Sequence, residues 1–131
     1  MRIPLKVIRF LLLASLLGVS CTPRASLGPV YIFSEKDLPI DIEVGIFYFS
    51  PNHFVILHNL SHVTLCLRNT SETWHNFTLT DQENRVIASK DLNPHESLTI
   101  RLDSLTSSNY FFYCNRFLHR SQGMKGMLMI D

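Results

Sequence analysis

From residue 40 onward, apolar side chains recur at every second position in short segments, and this period of two constrains the fold more than any other feature. Ile42, Val44, Ile46 and Tyr48 alternate first, then Phe54 and Ile56, then Val63, Leu65 and Leu67, then Phe77 and Leu79. Leu98, Ile100 and Leu102 continue the pattern, followed by Tyr110, Phe112 and Cys114, and by Leu128 and Ile130. Successive side chains of an extended chain point to opposite sides, so each segment reads as a strand with one buried face. Turn-forming clusters such as Asn93-Pro94 and Ser107-Ser108-Asn109 separate them, and no segment sustains a helical period. About seven short strands at this spacing predict an all-β fold, a Greek-key antiparallel β-sandwich over residues 40–131.

The chain ahead of that domain has a different character. Met1 to Arg9 carries three cations and no acid, Phe10 to Leu17 is almost wholly apolar, and small residues follow. This order of charge, apolar run and small residues is that of an export signal over residues 1–20, and the run is too short for a permanent membrane span. Leu17-Gly18-Val19-Ser20-Cys21 resembles a bacterial lipobox, with the leucine one position further from the cysteine than usual, so Cys21 is expected to be lipidated and to anchor the exported protein to a membrane. Three prolines, two serines and a glycine between Thr22 and Pro39 predict a flexible tether over residues 21–39.

Loss of Arg2, Lys6 and Arg9 moves the formal charge from +1 to −2. The remaining cations are scattered singly, which excludes the basic stripe of a nucleic-acid binder. With Cys21 lipidated, Cys66 and Cys114 remain. A disulfide between them is one reading in an oxidising compartment. Cys114, however, belongs to a pattern that needs it free: Cys114, His119 and Met124 form a C-x4-H-x4-M run inside Tyr113 to Met127. A thiolate, an imidazole and a thioether on one short loop can turn toward one point. Trigonal Cys and two His with a distant Met is the ligand set of electron-transfer copper sites, since thiolate and thioether suit Cu(I) and imidazole suits both oxidation states. His75, which opens the segment carrying Phe77 and Leu79 on its own face, is the candidate for the second imidazole.

These residues sit in segments that resemble the cupredoxins, the type 1 blue copper proteins of the plastocyanin, azurin and auracyanin kind. Asn69-Thr70-Ser71-Glu72-Thr73-Trp74-His75-Asn76-Phe77 is similar to the family's H-N-F segment after an asparagine-containing turn. Tyr110-Phe111-Phe112-Tyr113-Cys114 is similar to its Y-x-F-Y-C strand, and Gly123-Met124-Lys125-Gly126 to its closing G-M-x-G. The equal spacings on either side of His119 are most like those of auracyanin. The resemblance implies one copper ion held by His75, Cys114, His119 and Met124, with the Asn76 backbone N–H donating to the cysteine sulfur and the Asn76 side chain tying the two ligand loops together. It also implies that the His119 edge reaches solvent through an apolar patch. Two features depart from the pattern: Ser107-Ser108 and Phe117-Leu118 stand where the family usually has Pro-Gly.

With four protein ligands the site is closed, which favours a one-electron carrier between redox partners over an enzyme. A copper chaperone or reservoir would use the same residues. Oxidases and reductases of this family require further domains, and a binuclear site requires a second cysteine that residues 115–120 lack. Arg116, Arg120 and Lys125 predict an acidic partner face, and the domain is expected to act as a monomer. Met127 and Met129 read as core. His53, His58, His62 and His95 read as surface residues, with His53, His58 and His62 a weak alternative metal group, and Cys66 reads as an inert thiol facing away from the copper-side core. The triplets starting at Asn59, Asn69 and Asn76 are read as unglycosylated.

Overall fold

The computed structural model describes residues 27–57 and 60–131. The export signal, Cys21, His58 and Asn59 lie outside them. Ten strands run β1 (Tyr31–Phe33), β2 (Ile40–Gly45), β3 (Tyr48–Ser50), β4 (His53–Ile56), β5 (His62–Asn69), β6 (His75–Thr80), β7 (Val86–Leu92), β8 (Ser97–Asp103), β9 (Asn109–Tyr113) and β10 (Lys125–Ile130). They form a six-stranded sheet in the order β1-β4-β10-β9-β6-β7 and a four-stranded sheet in the order β3-β2-β5-β8. The only helical element among the described residues is a short 3-10 turn at Glu35–Asp37, and none of their helices is long and apolar enough to cross a membrane.

The sandwich is as expected, but its pairing is mixed rather than antiparallel: β1 with β4, β4 with β10, and β2 with β5 run parallel. Parallel neighbours arise because β4 and β10, far apart in sequence, lie side by side; alternation within a strand reports its buried face and carries nothing about its neighbour's direction. Three strands escaped the pattern. β7 is exposed along most of its length as the last strand of its sheet, so it has no buried face to alternate. β3 has a single buried residue, Phe49. β1 falls in the stretch read as tether; its Phe33 packs edge-on against Phe54 at 5.7 Å, so the fold begins ahead of Ile40. Ile46 and Tyr48, read as core, are exposed because the chain reverses at Ile46-Phe47 between β2 and β3.

The core lies between the sheets, where β2, β5 and β8 face β4, β6, β9 and β10. Phe112 is its aromatic centre, with Phe77, Phe49 and Phe54 at centroid distances of 5.3, 5.4 and 5.8 Å. Burying each ring fully contributes about 1.5–3 kcal/mol, and the stack fixes β6 and β9 side by side. Thr78 sits opposite Tyr113, so the start of β6 and the end of β9 meet at one end of the sandwich.

Candidate metal centre

At that end His75 begins β6, Cys114 follows β9, and the loop to β10 carries His119 and Met124. His75, Cys114 and Met124 are fully buried, whereas His119 is partly exposed. One ligand atom from each of His75, Cys114 and His119 lies within 4.8 Å of the other two, the only such group among the described residues. Cys114 Sγ is 3.4 Å from His119 Nδ1, and the two imidazole rings are 5.2 Å apart. The loop closes through its backbone: the Cys114 N–H donates to the Met124 carbonyl and the Met124 N–H to that of His119, both at 3.1 Å. Met124 is thereby tied to both Cys114 and His119. Cys66 and Cys114 are both free, so no disulfide joins them.

Hydrogen bonding distinguishes the two nitrogens of His75. Nε2 meets Ser71 Oγ at 2.9 Å and Thr73 Oγ1 at 3.1 Å, while Nδ1 is buried with no protein partner. Orphaned buried polar atoms are rare and costly, and this one belongs to the group of converging donors. Burial, then the neighbouring His119, then the Arg116 guanidinium depress the His75 imidazole from 6.5 to about 4. Burial, followed by Arg116, lowers His119 as well. Near pH 7 both rings are neutral and offer lone pairs. A thiol sulfur, two neutral imidazoles and a nearby thioether fit a soft, thiophilic metal ion.

The Asn76 N–H donates to Cys114 Sγ at 3.3 Å. Its side chain does something other than the direct loop-to-loop tie: Nδ2 donates to Asp91 Oδ1 at 2.9 Å and to Ser89 Oγ at 3.3 Å on β7, and Oδ1 accepts from Thr78. The ligand loop joins this network one step later, through Arg116 to Asp91 at 3.4 Å. Arg116 is therefore engaged rather than free to ring the site, and Arg120 lies over the Tyr113 ring at 4.1 Å.

Ser71, Thr73 and Asp91 were not legible as site residues. Asn69-Thr70-Ser71 showed only a turn and a glycan triplet; Asn69 and Asn76 prove to be buried. Of the other histidines, His95 is exposed and bonded to Glu72, while His53 and His62 are half-buried and join no metal group among the described residues. His53 is thus not a plain surface residue, since its Nε2 is buried. Around His119 the surface is apolar: Phe117 is 87% exposed, Leu118 53%, and Phe47 packs edge-on against the imidazole at 5.0 Å. Leu118 takes φ 63, the left-handed conformation that glycine adopts freely, which is what its place in the Pro-Gly position demands.

No family model matches the chain, and no curated protein matches it significantly. Solved structures do. Sodium-dithionite-reduced auracyanin from the photosynthetic bacterium Roseiflexus castenholzii is 21% identical, with a TM-score of 0.62 over 70% of this chain and 95% of its own. Auracyanin B gives 17% and 0.60 over 70% and 87%. Auracyanin A, a "blue" copper protein from the green thermophilic photosynthetic bacterium Chloroflexus aurantiacus, gives 16% and 0.61 over 77% and 100%. The chain has the cupredoxin fold. Within this fold the His75, Cys114 and His119 group, with Met124 on the same loop, lies where β6 meets the loop between β9 and β10.

Proposed function

We propose that this chain is an exported type 1 copper protein that carries one electron at a time between redox partners. His75 through Nδ1, Cys114 through Sγ, His119 through Nδ1, and Met124 as a more distant thioether would hold a single copper ion; when bound, that ion supplies reversible exchange between Cu(I) and Cu(II). The observation that carries the reading is the buried, partnerless His75 Nδ1 beside the Cys114 sulfur and the His119 imidazole. The likeness to auracyanins, one of them described as a blue copper protein, points the same way.

The chain's own residues account for the rest. The Asn76 N–H holds the Cys114 sulfur in place, burial keeps water from His75, Cys114 and Met124, and the stacked core limits how far the ligands can shift between oxidation states. His119 alone reaches toward solvent, and Phe117, Leu118 and Phe47 give its edge an apolar frame through which electrons would enter and leave. Arg120 and Lys125 favour an acidic partner in a small, transient encounter burying under about 1,200 Å². Cys21 would carry lipid and hold the protein at a membrane facing the periplasm or the cell exterior.

Addition of copper(II) to the metal-free protein tests the proposal. One equivalent should give an intense visible sulfur-to-copper absorption and a narrow hyperfine splitting in electron paramagnetic resonance, both lost in Cys114→Ser. A colourless copper(II) form with ordinary tetragonal resonance would instead favour a copper reservoir or chaperone.

A further inference from the structure

His75 can present Nδ1 to a metal only as the tautomer with its hydrogen on Nε2, and the buried turn preceding β6 has a hydrogen-bond order that selects this tautomer. Its anchor is Asn69, 1% exposed. Asn69 Nδ2 lies 2.8 Å from two backbone carbonyls, those of Thr73 and Asn93. Carbonyl oxygens only accept, so both amide hydrogens are committed and the amide cannot be flipped. Oδ1 must then face Ser71, where it accepts from the backbone N–H at 3.0 Å and meets the hydroxyl at 2.8 Å. The single Ser71 hydroxyl hydrogen thus has a pure acceptor within ideal reach. With that hydrogen on Oδ1, Ser71 Oγ faces His75 Nε2 at 2.9 Å with lone pairs only.

We propose that Asn69 and Ser71 are positioning residues that lock the His75 imidazole in its Nε2–H tautomer, presenting the Nδ1 lone pair to the copper site; this rests on the copper reading above. The opposite tautomer would bury an N–H at Nδ1 with no acceptor, which the folded state disfavours. Thr73 Oγ1, 3.1 Å from Nε2, does not set the direction, because a hydroxyl can accept from Nε2–H as well as donate to a bare nitrogen. Asn69 is bonded to the Glu96 carbonyl through its own N–H and to Asn93 through its side chain, so the lock is braced by the start of β8 as well as by its own turn.

Long-range nitrogen-to-proton correlation spectra of the nitrogen-15-labelled, metal-free protein near pH 7 read the tautomer directly, and copper(II) competition titrations read its consequence. The wild type should show Nε2–H at His75. Ser71→Ala should mix the tautomers and weaken copper(II) binding about 10–100-fold, the usual effect of removing a partner that orients a metal-binding histidine. Thr73→Val should leave the tautomer unchanged and affinity within about threefold. A wild type carrying Nδ1–H overturns the lock, whatever the variants do, as does a folded Ser71→Ala with wild-type tautomer and affinity. Nε2–H in a wild type that binds no copper(II) would support the lock and reject the copper reading instead.

Discussion

Gly126 sits where β10 passes over the centre of the core, directly opposite Phe112 on β9. A Cβ built there would come inside 3.0 Å of both the Phe112 ring and the Asn52 backbone carbonyl. Neither can yield cheaply. The ring is 1% exposed and packed against three other phenylalanines, and the carbonyl accepts the Met127 N–H at 2.9 Å, one of the bonds that seat β10 beside the β4 edge. Overpacking a core of this kind costs about 1–3 kcal/mol, and a stretched backbone hydrogen bond adds about 1 kcal/mol. Gly126→Ala should therefore destabilise the domain by about 3 kcal/mol, which for a domain of this size lowers Tm by roughly 10–20 °C. The position is two residues past Met124, so the same shift should alter the spectrum of the copper-loaded protein. Gly45→Ala supplies the contrast: the heavy atoms nearest its Cβ belong to the Tyr48 side chain, which is exposed and can swing aside, so the cost should stay under about 1 kcal/mol. Denaturant melts of the metal-free proteins followed by circular dichroism measure both without the added stability of a bound ligand. If Gly126→Ala costs no more than Gly45→Ala, the close packing of β10 against Phe112 and Asn52 is wrong.

The metal-free protein should lose stability as pH falls from 6.5 toward 4, because the unfolded His75 takes up a proton that the folded one refuses; the slope is at most about 1.4 kcal/mol per unit, and a flat profile over that window would contradict the burial of His75. Burial raises the Asp81 carboxyl, but the Arg85 N–H and guanidinium and the Glu83 N–H outweigh it and hold the group below 3.8, so its contribution is present above 3.8 and is lost as pH drops through the lower folded value. Met124→Gln offers a harder oxygen, which should lower the reduction potential in voltammetry while the colour survives; an unchanged potential excludes Met124 as a ligand. Arg120→Glu with Lys125→Glu should slow electron transfer to an acidic partner severalfold at low salt, an effect that should vanish near 1 M salt, where the Debye length is about 3 Å. Cys21→Ala should release the protein from the membrane fraction on cell fractionation, and a wild type already soluble with a free cleaved N-terminus would reject the anchor.

The sequence alone determined the class of fold and the candidate ligands, for a physical reason common to both. Alternation records which face of a strand is buried, and the C-x4-H-x4-M run keeps three of its donors within a single loop, so each is a local property of the chain. His75 was legible because it shares the buried face of Phe77 and Leu79. What only the tertiary structure decided is non-local. The parallel pairing of β4 with β10 joins segments some seventy residues apart, and β1 and β7 lie at sheet edges where nothing forces an apolar period. The surroundings of His75 follow the same logic: Ser71 orients its ring only because the chain turns back within the Asn69–Thr73 segment, and the Asn76 side chain reaches the ligand loop through Asp91 and Arg116, brought together by the pairing of β6 with β7. Hydrogen-bond direction depends on which atoms face each other across the fold, and a linear pattern of residue types does not contain that.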